Sequence, residues 1–459
     1  MKALQPDMVT HAHRFGILRS VGQTLYSALI VAGAAGALDA NANMLQSGDA
    51  VVLHWNEVAV KTVGPTPPFP SSRAMAIVQL AVFEAVNAIT RRYRPYLGTL
   101  TAPTNASTEA AAVTAAHDTL VWLFPTQSRM LAGERDASLS GVAEGAAKNE
   151  GIVLGQAAAA AIIAVRANDG AQSPLFYTPA GTESYAWQPT PSCANGPANG
   201  RGLFFHWQFV KPFGIESSSQ FRAKAPPALG HGSYARDLNE VKAVGDLNST
   251  LRPADRAAVA KLYAAQPPHR AWNLVARQLA AERGTNEITR TARTFAIMNM
   301  SLSDVHITVF ESKYRYRTWR PETAIHRADD DGNARTDASA SYQPYVVAPC
   351  FPSYPSAHGA GGGAARAVLE RAYGRKHHNI TNADDDAPGI VLRYSDLRAI
   401  VDDVSDARVY GGIHFRFDQD AGERMGLEVG DYNDDHELLP FDEAEWVEDD
   451  QRRHRSSLP

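Results

Sequence analysis

The segment that most constrains this chain covers residues 351–365 and reads FPSYPSAHGAGGGAA. Pro355 and Ser356 are typical of a helix start, with Pro355 in the first turn and Ser356 as the cap. Backbone N–H groups at such a start point at whatever anion lies there, and His358 would stand beside it. Glycine inside a helix costs about 1 kcal/mol relative to alanine, so the run Gly361-Gly362-Gly363 indicates that another backbone or a ligand comes very close. The alternative is a capped core helix that packs through small residues.

A second polar block lies upstream, between Lys313 and Pro321. Pro321 keeps Arg320 out of helical geometry. Lys313 and Arg320 are seven residues apart, so a helix that runs up to Arg320 would place both cations on nearly one face. The block therefore predicts two cations that point to one place.

A third block lies downstream, from Arg408 to Asp418. His414 and Asp418 are four residues apart and would share one face of a helix. The carboxylate could then accept one ring N–H and leave the other nitrogen free as a ligand or nucleophile. Arg408 and His414 would lie on different faces of a straight helix, and Gly411-Gly412 offers a bend that could aim both at one point.

In this order, the three blocks closely resemble the signature shared by the vanadium-dependent haloperoxidases and the type-2 phosphatidic acid phosphatases with their bacterial acid phosphatase relatives. The resemblance implies that His414 binds vanadium, that His358 is the acid–base that assists peroxide binding, and that Asp418 orients His414. It also implies that the vanadate oxygens are held by a set of five residues, namely Lys313, Arg320, Ser356, Ala357 and Arg408. In the phosphatase relatives, His414 would attack phosphorus and His358 would protonate the leaving group.

The N-terminal part favours the haloperoxidase side of this superfamily. Trp55-Asn56 and the segment 74–89 resemble the N-terminal part of bacterial vanadium haloperoxidase-like proteins, and multiple apolar spans, as in an integral lipid phosphatase, are not seen in the sequence. The resemblance implies an enzyme that uses vanadate and hydrogen peroxide to oxidise halide to hypohalous acid. Two alternatives stay open: a secreted acid phosphatase that cleaves phosphomonoesters through a phosphohistidine, and a helical protein that binds an oxyanion without turnover.

Three positions bear on the details of that resemblance. Ala357 stands where the family usually has glycine, and it keeps the amide but adds a methyl group at the edge of the anion. Phe310 stands where many relatives carry tryptophan, so the halide pocket can differ. Phe351 occupies a position that varies between chloride-oxidising and bromide-oxidising members, and it does not establish the halide.

The composition excludes some partners. The chain has 459 residues, with 44 Lys and Arg against 49 Asp and Glu. The net charge of −5 argues against nucleic acid or an anionic membrane surface as the main partner. The expected partners are small molecules, namely hydrogen peroxide with halide, or a phosphate ester, and the sequence leaves a homo-oligomer open.

The hydrophobic periodicity predicts an all-α fold, a large helical bundle of the vanadium haloperoxidase and acid phosphatase type, because no strand-like alternation of any length is present. We expect an N-terminal helical part with a long loop over 43–230, a catalytic helical part over 231–433, and a charged, partly disordered tail over 434–459. The irregular stretch 172–229 is expected to form the wall or lid of the pocket mouth, or else a loosely packed excursion. Helices are predicted over 74–89, 107–123, 127–148, 151–168, 233–246, 253–265, 271–282, 286–316, 394–409 and 415–429.

The first 42 residues have the parts of a secretory signal. Basic residues precede an apolar run over 25–38, and a small-x-small cleavage pattern follows at 40–42. The apolar run is too short for a membrane span, and a helix docked on the body is the alternative. We therefore expect a secreted or periplasmic protein. Cys193 and Cys350 allow one internal disulfide, which could brace the pocket, and a pair of free thiols is equally compatible.

Asp304 and His306 lie on the helix that delivers Lys313. An acid and an imidazole in an apolar setting suggest a metal site, but a pair without further ligands is more often structural. We therefore expect both to be buried structural groups.

Overall fold

The computed structural model describes residues 48–64, 66–103, 105–196, 198–284 and 287–441. The predicted leader over 1–42 and the tail beyond residue 441 lie outside these ranges. The N-terminal helices are α1 (Ala50–Val63), α2 (Pro68–Thr90), α3 (Thr108–Leu123), α4 (Ser128–Ser140), α5 (Ala146–Arg166) and α6 (Pro191–Ala194). The remaining helices are α7 (Gly232–Val244), α8 (Ala254–Ala265), α9 (Pro268–Arg283), α10 (Ile288–Tyr316), α11 (Pro321–His326), α12 (Ala357–Tyr373), α13 (Leu397–Tyr410) and α14 (Arg416–His436).

One antiparallel hairpin accompanies these helices. Strand β1 (Lys376–Ala383) pairs with β2 (Val391–Asp396), with Ile380 opposite Tyr394. The all-α class is confirmed, with the hairpin as a small addition. The sequence did not reveal β1 because only two of its eight positions are buried, so its apolar alternation is weak.

Helix α2 lies at the centre of the N-terminal core. Every residue from 71 to 87 is buried, and the helix packs against α3 and α10. It is long and apolar enough to cross a membrane, but 83% of its apolar window is buried inside the protein. That burial is what a core helix of a folded body shows.

Helix α10 connects this core to the predicted site. Asp304, in its middle, is fully buried and accepts the backbone N–H groups of Phe213 (2.7 Å), Gly214 (2.8 Å) and Ile215 (3.2 Å). These bonds hold the irregular stretch 172–229 against α10. The structural role predicted for Asp304 is therefore confirmed.

Helices α12 and α14 pack backbone against backbone, because glycines lie at the contact. A Cβ atom on Gly363 would overlap the carbonyl of Glu423, and one on Gly426 would overlap the carbonyl of Ala360. The close neighbour that the glycine run predicted is therefore a second backbone, supplied by α14.

Several boundaries differ from the sequence expectation. The helix predicted over 127–148 is broken between α4 and α5, where Gly145 has a φ of 143°. Residues 394–396 were predicted to start a helix, but they form the end of β2, and Asp396 caps α13 through the N–H of Arg398 (2.8 Å). Helix α14 continues to His436, so the predicted tail is helical where it begins. The domain division at 230–231 stays a prediction.

Replacing Gly426 with alanine should force α12 and α14 apart, because the new methyl group would overlap the carbonyl of Ala360. We expect Gly426→Ala to lower the free energy of unfolding by roughly 1–3 kcal/mol, as measured by chemical denaturation. Gly133 in α4 is the matched control, since no described atom lies within 4 Å of its Cβ position. Gly133→Ala should be neutral or stabilising by up to about 1 kcal/mol. Equal losses in both variants would contradict the close contact.

Candidate functional site

Lys313 lies in the last turn of α10. The helix stops before Arg317, which has a left-handed φ of 51°. The expectation that one helix runs up to Arg320 is therefore wrong. Lys313 is fully buried, and its Nζ donates to the carbonyls of Pro352 (2.8 Å) and Ser353 (2.6 Å). These bonds direct the ammonium group toward the segment just before α12.

Arg320 reaches the same place from an extended residue that precedes α11. Its Nε donates to Phe351 O (2.9 Å), and its Nη1 donates to Ile413 O (3.0 Å) and lies 3.1 Å from His414 Nε2. Its Nη2 is buried without a hydrogen-bond partner among the described residues. The guanidinium thus joins the segments that precede α12 and α14 and keeps one donor for a ligand.

Arg408 lies in the last turn of α13, and the chain then bends toward His414. Gly412 has a φ of 79°, which favours glycine, so the bend predicted at Gly411-Gly412 is confirmed. Nη1 of Arg408 donates to Tyr263 O (3.1 Å), whereas its buried Nε has no partner within the described ranges. Arg408 therefore also offers an unused donor.

His414 Nδ1 lies 2.8 Å from Asp418 Oδ2, so the predicted contact is confirmed. The helical reason given for it is wrong, because α14 begins at Arg416 and His414 precedes the helix. Asp418 lies in the first turn of α14, where its carboxylate also accepts the N–H of Phe415 (3.3 Å). With Nδ1 facing this carboxylate, Nε2 is the nitrogen left on the side of Arg320.

Ser353 is a residue that the sequence reasoning missed. Its hydroxyl donates to Asp418 Oδ2 (2.6 Å) and lies 3.4 Å from His414 Nδ1. The backbone N–H of Ser356 also donates to the carbonyl of Asp418 (2.9 Å). These bonds tie the start of α12 to the start of α14. Ser353 belongs to the segment 351–365 described above. Its contact with Asp418 could not be predicted, because the two residues are far apart in sequence and no periodicity relates them.

Ser356 caps α12 as predicted, since its Oγ accepts the N–H of Gly359 (3.2 Å). Pro355 lies before the cap and outside the helix, so its predicted place in the first turn is wrong. The helix itself supplies no acceptor for the N–H groups of Ala357 and His358. Those two amides at the start of α12 therefore have no helical partner, which is the arrangement that favours an anion at a helix N-terminus.

The three cations carry charge that is poorly compensated. Lys313, Arg320 and Arg408 are buried, and within the described ranges none of them has a carboxylate at ion-pair distance. Burial lowers the pKa of Arg320 to about 9 and that of Arg408 to about 10, and it lowers the pKa of Lys313 well below 10.5. Because an uncompensated buried charge is costly, the site is stabilised by whatever anion enters it.

Both histidines are held in the neutral form. Burial, followed by the neighbouring arginines, lowers the pKa of His358 and of His414 well below 6.5. Burial raises the pKa of Asp418 to about 6, so this carboxyl group is ionised at neutral pH. A neutral His414 that gives its Nδ1–H to Asp418 has its lone pair on Nε2, the nitrogen that a metal ligand or nucleophile uses. In this structure that lone pair accepts the Nη1–H of Arg320 (3.1 Å).

Four phenylalanine rings pack beside the cations and form what we call the aromatic wall: Phe69, Phe204, Phe310 and Phe351. Ring centroids lie 4.5 Å apart for Phe69 and Phe310, and 5.3 Å apart for Phe310 and Phe351. The Phe351 ring lies 5.2 Å from Lys313 Nζ and 5.0 Å from Arg320 Cζ, which are cation–π distances. The wall therefore gives the charged site one apolar side.

Phe69 and Phe204 were not identified from the sequence. Phe69 lies at the start of α2, and Phe204 comes from the irregular stretch 172–229. Apolar residues in a buried helix or loop look like ordinary core residues, so no pattern set these two apart. The contribution of Phe204 supports the interpretation of 172–229 as a wall of the pocket.

Cys193 and Cys350 form a disulfide that spans 157 residues of sequence. Beside it, the N–H of Leu203 donates to the carbonyl of Cys350 (2.8 Å). The bridge therefore fastens the irregular stretch to the residue that precedes Phe351. Of the two alternatives left open by the sequence, the structure contains the disulfide.

Binding of a tetrahedral anion should be coupled to proton uptake at His358. Burial and the nearby cations hold its pKa well below 6.5, and an anion that offsets those cations would raise it. At a pH between the pKa of His358 in the free protein and its higher pKa in the anion-bound protein, the ring gains a proton on binding. The affinity for the anion should therefore increase as pH falls through that window. Calorimetric titration with sulfate in buffers of different ionisation enthalpy measures this uptake.

The matched variant for that titration is His358→Gln, which removes the titrating ring. Any uptake that remains in it would belong to the other groups whose pKa is lowered in the site, Lys313 and His414. Proton release on binding, or equal uptake in both proteins, would contradict the coupling.

Comparison with protein families places the site within a known domain. Residues 293–441 match the family model described as the VCPO second helical-bundle domain, a range that includes all three blocks of the site. The vanadium chloroperoxidase of Curvularia inaequalis is 23% identical over 330 residues, which cover 54% of this chain and 53% of that protein. The chain thus spans about half the length of this curated relative.

Solved structures resemble the whole described body. The crystal structure of the first bacterial vanadium-dependent iodoperoxidase superposes with a TM-score of 0.71 at 22% identity, and the match covers 88% of this chain and 97% of that one. A holo-type bacterial vanadium-dependent chloroperoxidase gives a TM-score of 0.65 at 18% identity, with 81% and 92% covered. The bundle type predicted from the sequence is confirmed by these similarities.

Proposed function

We propose that this chain belongs to the vanadium-dependent haloperoxidase family, oxidises halide ions with hydrogen peroxide to hypohalous acids and uses vanadate as its cofactor. One observation carries the proposal more than any other. Three buried cations, Lys313, Arg320 and Arg408, lie near the neutral imidazole of His414 and the N-terminus of α12. None of the three cations has a carboxylate at ion-pair distance among the described residues. Such a set fits a small, multiply charged oxyanion.

The residues present fit vanadate. Arg320 Nη2 and Arg408 Nε are buried donors without partners among the described residues, and the amides of Ala357 and His358 lie at the start of α12. Together with Lys313 and the Ser356 hydroxyl, these groups would hold the vanadate oxygens, and His414 Nε2 would bind the metal. When bound, vanadate would supply a Lewis acid that activates hydrogen peroxide toward halide.

The chain itself would orient and transfer protons. Asp418 accepts the Nδ1–H of His414 and so keeps the lone pair on Nε2, while Ser353 holds the carboxylate in place. His358 begins α12 beside the anion, and its neutral ring can accept a proton from an incoming peroxide molecule. The aromatic wall limits the water that reaches this side of the site.

Activity assays would separate this proposal from the two alternatives. We expect oxidation of bromide by hydrogen peroxide only when orthovanadate is present. Hydrolysis of an aryl phosphate, inhibited by vanadate, would instead identify a phosphatase in which His414 attacks phosphorus. The absence of both reactions, with oxyanion binding retained, would indicate a binding protein without turnover.

Substitution of His414 should affect vanadate binding, whereas substitution of His358 should affect turnover. His414→Ala should abolish vanadate binding, because it removes the nitrogen that would contact the metal. His358→Ala should leave binding nearly unchanged and lower turnover by roughly 100-fold to 10,000-fold, the usual range for a general acid–base. Equilibrium dialysis with vanadate and steady-state kinetics measure the two effects. The reverse pattern would rule out these roles.

We further infer that the protein acts in an oxidising compartment, secreted or periplasmic. The secretory pattern over 1–42 supports this, and so does the disulfide between Cys193 and Cys350, because disulfides persist mainly outside reducing cytosol.

A further inference from the structure

A cleft of about 350 Å³ lies beside α11, and none of the residues assigned to vanadate lines it. Its walls come from three segments, namely α6, α11 and the stretch 340–348. The disulfide between Cys193 and Cys350 joins the first of these walls to the end of the third. Clefts that hold small organic ligands usually measure about 300–1,000 Å³, so this one is large enough for such a molecule.

Glu322 lines this cleft and carries a carboxylate without a partner. The residue is only 8% exposed, and within the described ranges its carboxylate makes no hydrogen bond and no ion pair. Burial raises the pKa of Glu322 above its usual 4.5, and the nearby His326 partly opposes this shift. Because an unpaired buried carboxylate is costly, a group that pairs with it inside the cleft would stabilise the protein.

His326 lines the same cleft, one helical turn after Glu322. Its Nε2 lies 2.8 Å from the carbonyl oxygen of Tyr342. A carbonyl can only accept, so Nε2 carries the proton of this bond. In the neutral ring Nδ1 is then an acceptor, and it has no partner in the part of the chain that the structure describes. The cleft therefore presents two unused acceptors on one face of α11.

Apart from these two acceptors, the lining is mostly apolar, and no Lys or Arg occurs among the described residues that form it. Pro191, Pro344, Val347 and Ala348 supply much of the apolar surface. Val347 is 72% exposed, so the apolar body of a ligand would cover a side chain that now faces water. A buried carboxylate, a second acceptor and no basic side chain together fit a ligand that brings donors and a positive charge.

We propose that this cleft binds a small organic molecule through a primary ammonium group, which donates to the carboxylate of Glu322 and to Nδ1 of His326. An ammonium group has three N–H donors and one positive charge, so it can satisfy both acceptors at once. A divalent metal ion fits less well, since no group of three or more His, Cys, Asp or Glu side chains that could hold one occurs among the described residues. The inference goes beyond the proposed function and does not depend on it.

The probe for this site is benzylammonium, with benzyl alcohol as a neutral counterpart of similar shape. In the full chain labelled with 15N-histidine, benzylammonium should shift the ring-nitrogen resonances of His326 to saturation. The resonances of His117, whose ring bonds to Asp118 (2.6 Å) in α3, should stay in place. Benzyl alcohol should bind roughly 10-fold more weakly or worse, because it lacks the charge. Equal affinities for the two probes, no saturable shift of His326, or the same shift with calcium chloride would overturn the proposal.

A variant with a matched control tests the carboxylate. Glu322→Gln keeps the shape of the side chain and removes its charge, so we expect it to weaken benzylammonium binding roughly 10-fold or more. Glu428→Gln removes the same charge from an exposed position of α14 and should leave the affinity unchanged. Equal affinities in a folded Glu322→Gln variant and the wild-type chain would overturn the proposal.

If Glu322→Gln does not fold, Val347→Lys replaces it, because an exposed valine tolerates substitution. The new side chain would bring a competing ammonium group into the cleft and should weaken benzylammonium binding. Val391→Lys is the matched control, since Val391 is 53% exposed and lies on β2, so its affinity should equal that of the wild-type chain. Equal affinities in both lysine variants would then overturn the proposal.

Discussion

The rest of the structure depends on the burial of Lys313, Arg320 and Arg408 around one point. Their charges are taken out of water with little compensation from carboxylates, and the cost is offset by backbone carbonyls that each cation contacts. Those carbonyls belong to the segments before α12 and α14 and to the end of α8. The cations therefore act as ties between elements, and the folded body in turn keeps two of their donors, Arg320 Nη2 and Arg408 Nε, buried and without partners among the described residues.

The meeting of side chains from the three blocks could be predicted from the sequence, because the blocks consist of residue types that few other sites need and occur in a characteristic order. The local geometry could not. Lys313 and Arg320 meet although Arg317 ends the helix between them, since carbonyl contacts replace the helical face that the spacing suggested. His414 and Asp418 meet although only Asp418 is helical. A four-residue spacing suits both a helix face and a capping turn, so sequence alone did not separate them.

The contributions that the sequence did not reveal come from residues without a distinctive pattern. Ser353 is one serine among several, and only the packing of α12 on α14 brings it to Asp418. Phe69 and Phe204 are separated from the three blocks by more than a hundred residues, and an apolar side chain gives no indication in the sequence of which site it packs beside. Charged and imidazole side chains could be assigned from the sequence because burying them needs a specific reason, whereas burying phenylalanine needs none.

The glycine contact between α12 and α14 affects how an oxyanion would bind at the start of α12. The amides at the start of α12 and the carboxylate in the first turn of α14 are carried on two helices that pack closely through glycines, so a shift of one helix would displace the other. An arriving oxyanion thus meets a preorganised cradle, and little of its binding energy is lost in ordering the protein.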